Sequence, residues 1–255
     1  MVVRSGRLTA GPPVSGTALV CALLLSACQT TGNQVEEPVI GQTVSTVFAV
    51  SGNQVPLPDG DWTVVGTGKV REENIVRYDL AALAKVSSNV VTQLVLVRNA
   101  DPPHEPRFDP YAGCESDDYY FTAFLQNDYR GRQDCWRTQP FSLGITGSDQ
   151  PHIQQFQQDA QLNGIVVPSA MIGFAYHIAE GPDAMDIIYL WNPDLILPHP
   201  DPIRTWGPED WTITEIRSSP VKRAIFDSFR EFAAEWHPKI WAGFKNQLPF
   251  AGPGS

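Results

Sequence analysis

The stretch Val76–Val97 reads VRYDLAALAKVSSNVVTQLVLV, and its assignment decides the fold. Val76, Tyr78, Leu80, Ala82, Ala84 and Val86 alternate with Arg77, Asp79 and Lys85, a period of two that Ala81 and Leu83 blur. Its Ala and Leu content would also suit a helix by propensity. Ser87-Ser88-Asn89 then turns the chain into Val90–Val97, which is β-branched and apolar. The two halves therefore read as a β-hairpin.

The flanking sequence extends that reading. Upstream, Val44–Val50 has strand character and ends at the turn signal Ser51-Gly52-Asn53. In Val55-Pro56-Leu57-Pro58-Asp59-Gly60-Asp61-Trp62 the prolines forbid a central strand, and Trp62–Gly66 resumes strand character. Downstream, a Pro-rich connector over 101–110 leads to Asp118–Leu125, strand-like by its aromatics, and to the turn Asn127–Gly131. Ser148-Asp149 before Pro151 starts a short amphipathic helix carrying Ile153, Phe156 and Ala160, with Gly164 as its stop. Met171–Ala179 and Met185–Trp191 flank Glu180-Gly181-Pro182-Asp183 as a further hairpin. Last, Ser219 as N-cap and Pro220 at the first helical position open a helix with Val221, Ile225, Phe229, Phe232, Ala233 and Trp236 on one stripe. Pro238 should kink or break it near Trp236-His237. The expected fold class is α+β, an antiparallel β-sheet built from hairpins with two or three helices packed on one face.

Composition bounds the function. Of 255 residues 42% are hydrophobic and 18% charged, which suits a globular core and excludes a disordered chain. The net charge of −10 repels phosphate backbones and anionic headgroups, so no nucleic-acid partner and no polybasic membrane patch is expected. The organisation expected is a leader over 1–27, an anchoring cysteine and flexible tether over 28–41, one globular α+β domain over 42–249, and a disordered tail over 250–255.

Arg4 and Arg7 precede an apolar run of eight, Ala18–Leu25, and then the small residues Ser26-Ala27. This is the order of a secretory signal peptide, and eight residues fall far short of the roughly 20 that span a bilayer. Leu25-Ser26-Ala27-Cys28 resembles the lipobox of bacterial lipoproteins. The resemblance implies cleavage before Cys28, acylation (palmitate-type chains) of its sulfur and new amine, and a membrane partner held through that lipid anchor. Two or more chains suffice for stable anchoring. Gln29 in place of Asp implies the periplasmic face of the outer membrane. An ordinary cleaved signal, with Cys28 incidental, is the competing reading. Phrases such as Gln133-Asp134-Cys135-Trp136 and Trp191-Asn192-Pro193-Asp194 are similar to ones in uncharacterised proteobacterial envelope proteins, a resemblance that implies export and no activity.

With Cys21 in the leader and Cys28 lipidated, Cys114 and Cys135 remain, and an exported domain joins such a pair as a disulfide. A redox-active pair is disfavoured by the spacing. No two of His104, His152, His177, His199 and His237 stand at metal-ligand spacing, and no GxSxG elbow or phosphate loop occurs, so no metal and no cofactor is implied. Gly66-Thr67-Gly68 reads as a bulge or strand end. Glu115, Asp117 and Asp118 read as a solvated acidic loop paired with Arg130, Arg132 and Arg137. His199, in Pro198-His199-Pro200-Asp201-Pro202 where it could meet Asp201, reads as a loop residue. Of seven tryptophans most fall on core positions. Trp206 and Trp211 bracket Gly207-Pro208-Glu209-Asp210 and are the candidate exposed ligand-binding aromatics.

The function expected is that of a non-enzymatic envelope lipoprotein with a binding or scaffolding surface, an envelope protein being one kind of partner. The alternatives are a carrier or sensor of an apolar or glycan ligand through an aromatic cleft, and a hydrolase using Asp117 or Asp118 with a histidine. Cys28→Ala is expected to release the domain from membranes or to stall leader processing, read by cell fractionation with and without detergent. Unchanged, detergent-dependent fractionation of that variant contradicts the lipobox reading.

Overall fold

The computed structural model describes residues 38–72, 76–101, 108–143 and 150–249. Cys28, the leader, most of the tether, His104, Ser148, Asp149 and the tail over 250–255 lie outside the described residues. The decisive stretch forms strands β5 (Val76–Ser87) and β6 (Val90–Asp101). Ser88 and Asn89 between them both adopt positive φ, 51° and 60°, the geometry of a two-residue hairpin turn.

Eight strands form one antiparallel sheet. Besides β5 and β6 these are β1 (Thr43–Val44), β4 (Trp62–Glu72), β7 (Phe121–Asn127), β8 (Gln133–Ser142), β9 (Ala170–Glu180) and β10 (Asp183–Trp191). Their order is β1-β4-β5-β6-β10-β9-β8-β7. The hairpin β2 (Val47–Val50) and β3 (Asn53–Pro56) stands apart as a two-stranded sheet, consistent with prolines unsuited to a central strand. The helices are α1 (Pro151–Leu162), the short α2 (Pro193–Ile196) and α3 (Ile213–Ser218), and the 25-residue α4 (Pro220–Phe244). Ser219 caps α4 as the sequence indicates, its hydroxyl accepting from the Lys222 amide. Among the described residues no helix is long and apolar enough to cross a membrane.

An antiparallel α+β architecture is thus observed, but its helices occupy both faces of the sheet. Alternation sorts Leu83, Val95, Phe174, Tyr176 and Ile187 to one face, where they pack with Phe226, Phe229, Ala233 and Ile240 of α4. Their neighbours Ala82, Ala84, Leu94, Leu96 and Met171 point to the other face and pack with Phe156 and Ala160 of α1. The physical reason is that the central strands are apolar at successive positions; β9 is buried at each residue from Ala170 to Ala179. One covering helix would leave half of that surface in water.

Pro238 does not end α4, which runs helical across it. The carbonyl left without an intrahelical donor is that of Ala234, on the exposed side of α4, while Ile240 and Phe244 beyond the proline stay buried in the core and hold the helix in line. One residue earlier, the Ala233 carbonyl accepts from the Tyr176 hydroxyl at 2.6 Å and ties α4 to β9. The β2–β3 hairpin is tied to the end of α4 by Asn53, whose side chain donates to the Phe244 carbonyl at 2.7 Å. The Asn99 amide donates to Val50 and Asn53 beside it. Cys114 and Cys135 are disulfide-bonded with Cα atoms 5.6 Å apart, a link for which chain entropy gives roughly 3 kcal/mol.

Helix α1 approaches β4 closely because β4 carries glycines. The register slips between Val64 and Gly66, and a Cβ on Gly66 would lie 2.3 Å from the His152 carbonyl oxygen. Gly66→Ala is expected to force α1 off the sheet and cost about 1–3 kcal/mol in urea unfolding. A midpoint equal to the parent's would show that α1 is not held at that distance.

Candidate functional site

The α1 face is apolar only in part. Register places Leu80, Arg98, Asp186, His177 and Cys135 in one row across five adjacent strands, β5, β6, β10, β9 and β8. Side chains opposite one another on the same face interact directly. Asp186 Oδ1 lies 2.7 Å from His177 Nδ1, and Asp186 Oδ2 lies 3.9 Å from Arg98 Nε. His177 Nε2 is 2.8 Å from Gln133 Oε1, whose amide nitrogen donates to the carbonyls of Phe108 and Asp109. Both ring nitrogens of His177 therefore face acceptors.

The disulfide arranges the next layer. Cys135 closes the row, and its link to Cys114 holds the segment that lays Tyr111 flat on His177, with ring centroids 4.1 Å apart. The Tyr111 hydroxyl accepts from Arg137 Nη2 at 3.1 Å. Arg137 stands two residues beyond Cys135 on the same face of β8 and is buried. Its Nε donates to Gln139 at 3.3 Å, its guanidinium lies 4.8 Å from the Tyr119 ring, and its Nη1 is buried with no hydrogen-bond partner.

Between these groups and α1 lies a pocket of about 200 Å³. Arg98, Arg137, Asp186 and Tyr111 supply its polar wall; Leu96, Ile153, Ala175 and Ile188 are among its apolar lining. His152 of α1 also lines it, buried, with Nδ1 unpartnered. Burial opposes charge on Asp186, but the His177 ring, Arg98 and Arg137 outweigh it and hold the carboxyl below the usual carboxylate range. Burial, and then Asp186, push the Tyr111 hydroxyl up against the opposing pull of Arg137. Burial alone lowers His152 to about 4.

The sequence-derived candidates fall elsewhere. Trp206 and Trp211 are not an exposed platform: they are 7% and 0% accessible and belong to the α4-side core. Lys222 explains the difference, since its ammonium donates to the Asp210 carbonyl and lies 4.8 and 5.0 Å from the two indoles, drawing the loop against α4. Asp117 and Asp118 are exposed and stand beside a cleft lined by Tyr119, Tyr120 and Arg217 and by no histidine. The arginines expected to pair with that acidic loop turn elsewhere: Arg137 to Tyr111, and Arg132 to Asp134 at 3.0 Å. His199 turns onto its own loop, bonded to Asp201 backbone and packed on Trp206. Among the described residues no group of three His, Cys, Asp or Glu is placed to hold a metal ion.

A second histidine–carboxylate pair lies on the other face of β8. Buried Asp134 accepts from Arg132 and lies 2.7 Å from His237 Nε2 of α4. Arg132 stacks 4.0 Å from the Trp241 ring. Neither pair was visible as a motif, because partners such as His177 and Asp186 meet only through register. The available signal was a charge inside an apolar strand, as Asp186 is within Asp183–Trp191. The chain matches no protein-family model, no curated protein and no solved structure.

His152 sets a pH dependence. The unfolded chain takes up this proton near pH 6.5 and the folded protein only near 4, so stability falls as pH drops through that window. Between pH 7.5 and 4.5 the parent is expected to lose about 2–3 kcal/mol more than His152→Gln, by urea unfolding. Equal losses in the two proteins would show that His152 is not held neutral. Asp186 contributes in the same direction only at lower pH, as its carboxylate is protonated.

Proposed function

We propose that this chain is a lipid-anchored bacterial envelope protein, acylated on Cys28 and facing the periplasm from the outer membrane. Its domain binds a small ligand with an anionic end and an apolar body in the pocket beside α1. Arg137 carries this reading: it is a buried guanidinium at the pocket wall with one amino group lacking an acceptor. A buried donor of that kind calls for a partner. The other charges of the cluster are satisfied among themselves, Asp186 by His177 and Arg98. The two guanidiniums outnumber the single carboxylate, so the pocket favours an anion inside an acidic protein. A carboxylate is matched to guanidinium geometry.

Binding is favoured over catalysis because His177 is immobilised and His152, on the pocket wall, has no carboxylate partner among the described residues to orient and activate its ring. Both nitrogens of His177 are engaged and Tyr111 covers its ring, which leaves no free nitrogen to exchange a proton with a substrate. Calorimetric titration of the intact acylated protein with benzoate and with neutral benzamide tests the reading. Benzoate is expected to bind at least tenfold more tightly, and Arg137→Gln to abolish that preference. Equal affinity for acid and amide, or an unchanged preference in Arg137→Gln, would overturn it.

A further inference from the structure

Strand β7 ends the eight-stranded sheet, and among the described residues no strand pairs with its outer side. Such an edge presents a row of unpaired N–H and C=O groups, which proteins usually blunt with lysine, proline or a bulge. β7 reads FTAFLQN, with neither charge nor proline. Its register slips between Phe124 and Gln126, which leaves Phe121–Phe124 as a regular strip.

That strip lies in a cleft of about 700 Å³. Phe124 pairs with Cys135 and so shares the α1 face, whereas Phe121 packs on Trp136 on the α4 face. Both line the cleft, which therefore follows the outer edge of the strand. Cys114, Glu115 and Asp117 form its wall on the α1 side, held beside β7 by the disulfide to Cys135. The amides of Cys114 and Glu115 bond back to Tyr111 and Ala112, so this wall does not occupy the edge. Tyr120, packed on Phe226 of α4, and Arg217 of α3 form the opposite wall.

The two walls differ in charge. Glu115 and Asp117 are exposed on the α1 side, with Asp118 next to them. Arg137, opposite Thr122 on that side, is buried and turned to the α1 pocket. The other cations near the strip belong to the α4 side and are engaged there. Arg217 donates to the Tyr119 carbonyl at 3.4 Å, Arg223 donates to the Arg217 carbonyl at 2.6 Å, and Arg230 lies 3.6 Å from Asp227. Asp128 and Arg130 stand beyond the bulge.

We infer that this edge takes an extended segment of another polypeptide as a ninth strand, with basic side chains at alternate positions. Alternation directs each of those side chains to Glu115 and Asp117 and none to Arg217. Main-chain hydrogen bonds supply affinity, and the acidic wall supplies selection. A second copy of this chain is disfavoured by symmetry. Antiparallel pairing of β7 with itself keeps both sheets the same way up, so acid meets acid and arginine meets arginine. β7 also has no basic residue to offer.

The test titrates the full chain in detergent, by calorimetry, with an end-capped octapeptide alternating lysine and threonine. Two further peptides carry N-methyl groups on the lysine or on the threonine amides. Only every second N–H of an added strand points at β7, so one methylated peptide is expected to bind about tenfold more weakly and the other like the parent peptide. Glu115→Gln with Asp117→Asn is expected to weaken the parent peptide several-fold, and Arg217→Gln not to weaken it. Equal binding of the two methylated peptides overturns the strand pairing, and no binding at millimolar peptide overturns the site. An unchanged affinity in the double variant, or a loss in Arg217→Gln, overturns the basic partner. A dimer in sedimentation that the peptide dissolves assigns the edge to a second copy, and overturns the inference.

Discussion

A sheet that is apolar on both faces has to be covered twice, and most of this structure follows from that. Leu83 and Val95 point one way while Ala84 and Leu94 point the other, within the same hairpin. Burying each large side chain is worth about 1.5–3 kcal/mol, so neither surface can be left to water. Helix α4 answers the need on one side. On the other side α1 is only 12 residues long, and it covers the part of the sheet where Ala82, Ala84 and the β4 glycines let it come close. Beyond its reach, Arg98, Asp186, His177 and Arg137 replace apolar residues on the same strands. The pocket lies at that border between helix cover and charged sheet.

Removing such charges from water is costly, and the arrangement offsets the cost by pairing them in place. Asp186 sits between Arg98 and His177 because its strand neighbours are β6 and β9, with no flexible loop involved. Gln133 and Tyr111 restrain the histidine from two further directions, and the disulfide holds Tyr111 over the ring. A cluster built on paired strands has little freedom to rearrange, which suits recognition of a fixed shape and charge. The same strand, β8, puts Asp134 on its opposite face against His237, so one short segment joins the charged cluster on one face to α4 on the other through polar contacts.

Much of the architecture was legible locally. The hairpin at Ser88-Asn89, the one at Gly181, the Ser219-Pro220 start of α4 and the Cys114–Cys135 pair each rest on neighbours in sequence or on a count of residue types. The helix crossing Pro238 was not legible, since it is held by the burial of Ile240 and Phe244 against residues distant in the chain. Trp206 and Trp211 misled for a related reason. A Gly-Pro-Glu-Asp loop looks solvent-bound, yet Lys222 on α4 reaches its backbone and holds both indoles inside. Short α2 and α3 carry too few residues for a periodic signal.

By itself the sequence determined the strands, the turns, the long capped helix and the acidic balance, because period, turn chemistry and composition act over a few residues. The expectation of a lipobox-like leader rests on the motif Leu25–Cys28 and on no fold. Tertiary structure alone decided which face each helix covers, which tryptophans see water, and which charges meet. Those outcomes depend on register between strands far apart in the chain: Arg98 and Asp186 are adjacent only because β6 pairs with β10. A shift of one residue would turn each side chain of a strand to the other face and dissolve the cluster, and no local stretch of sequence encodes that alignment.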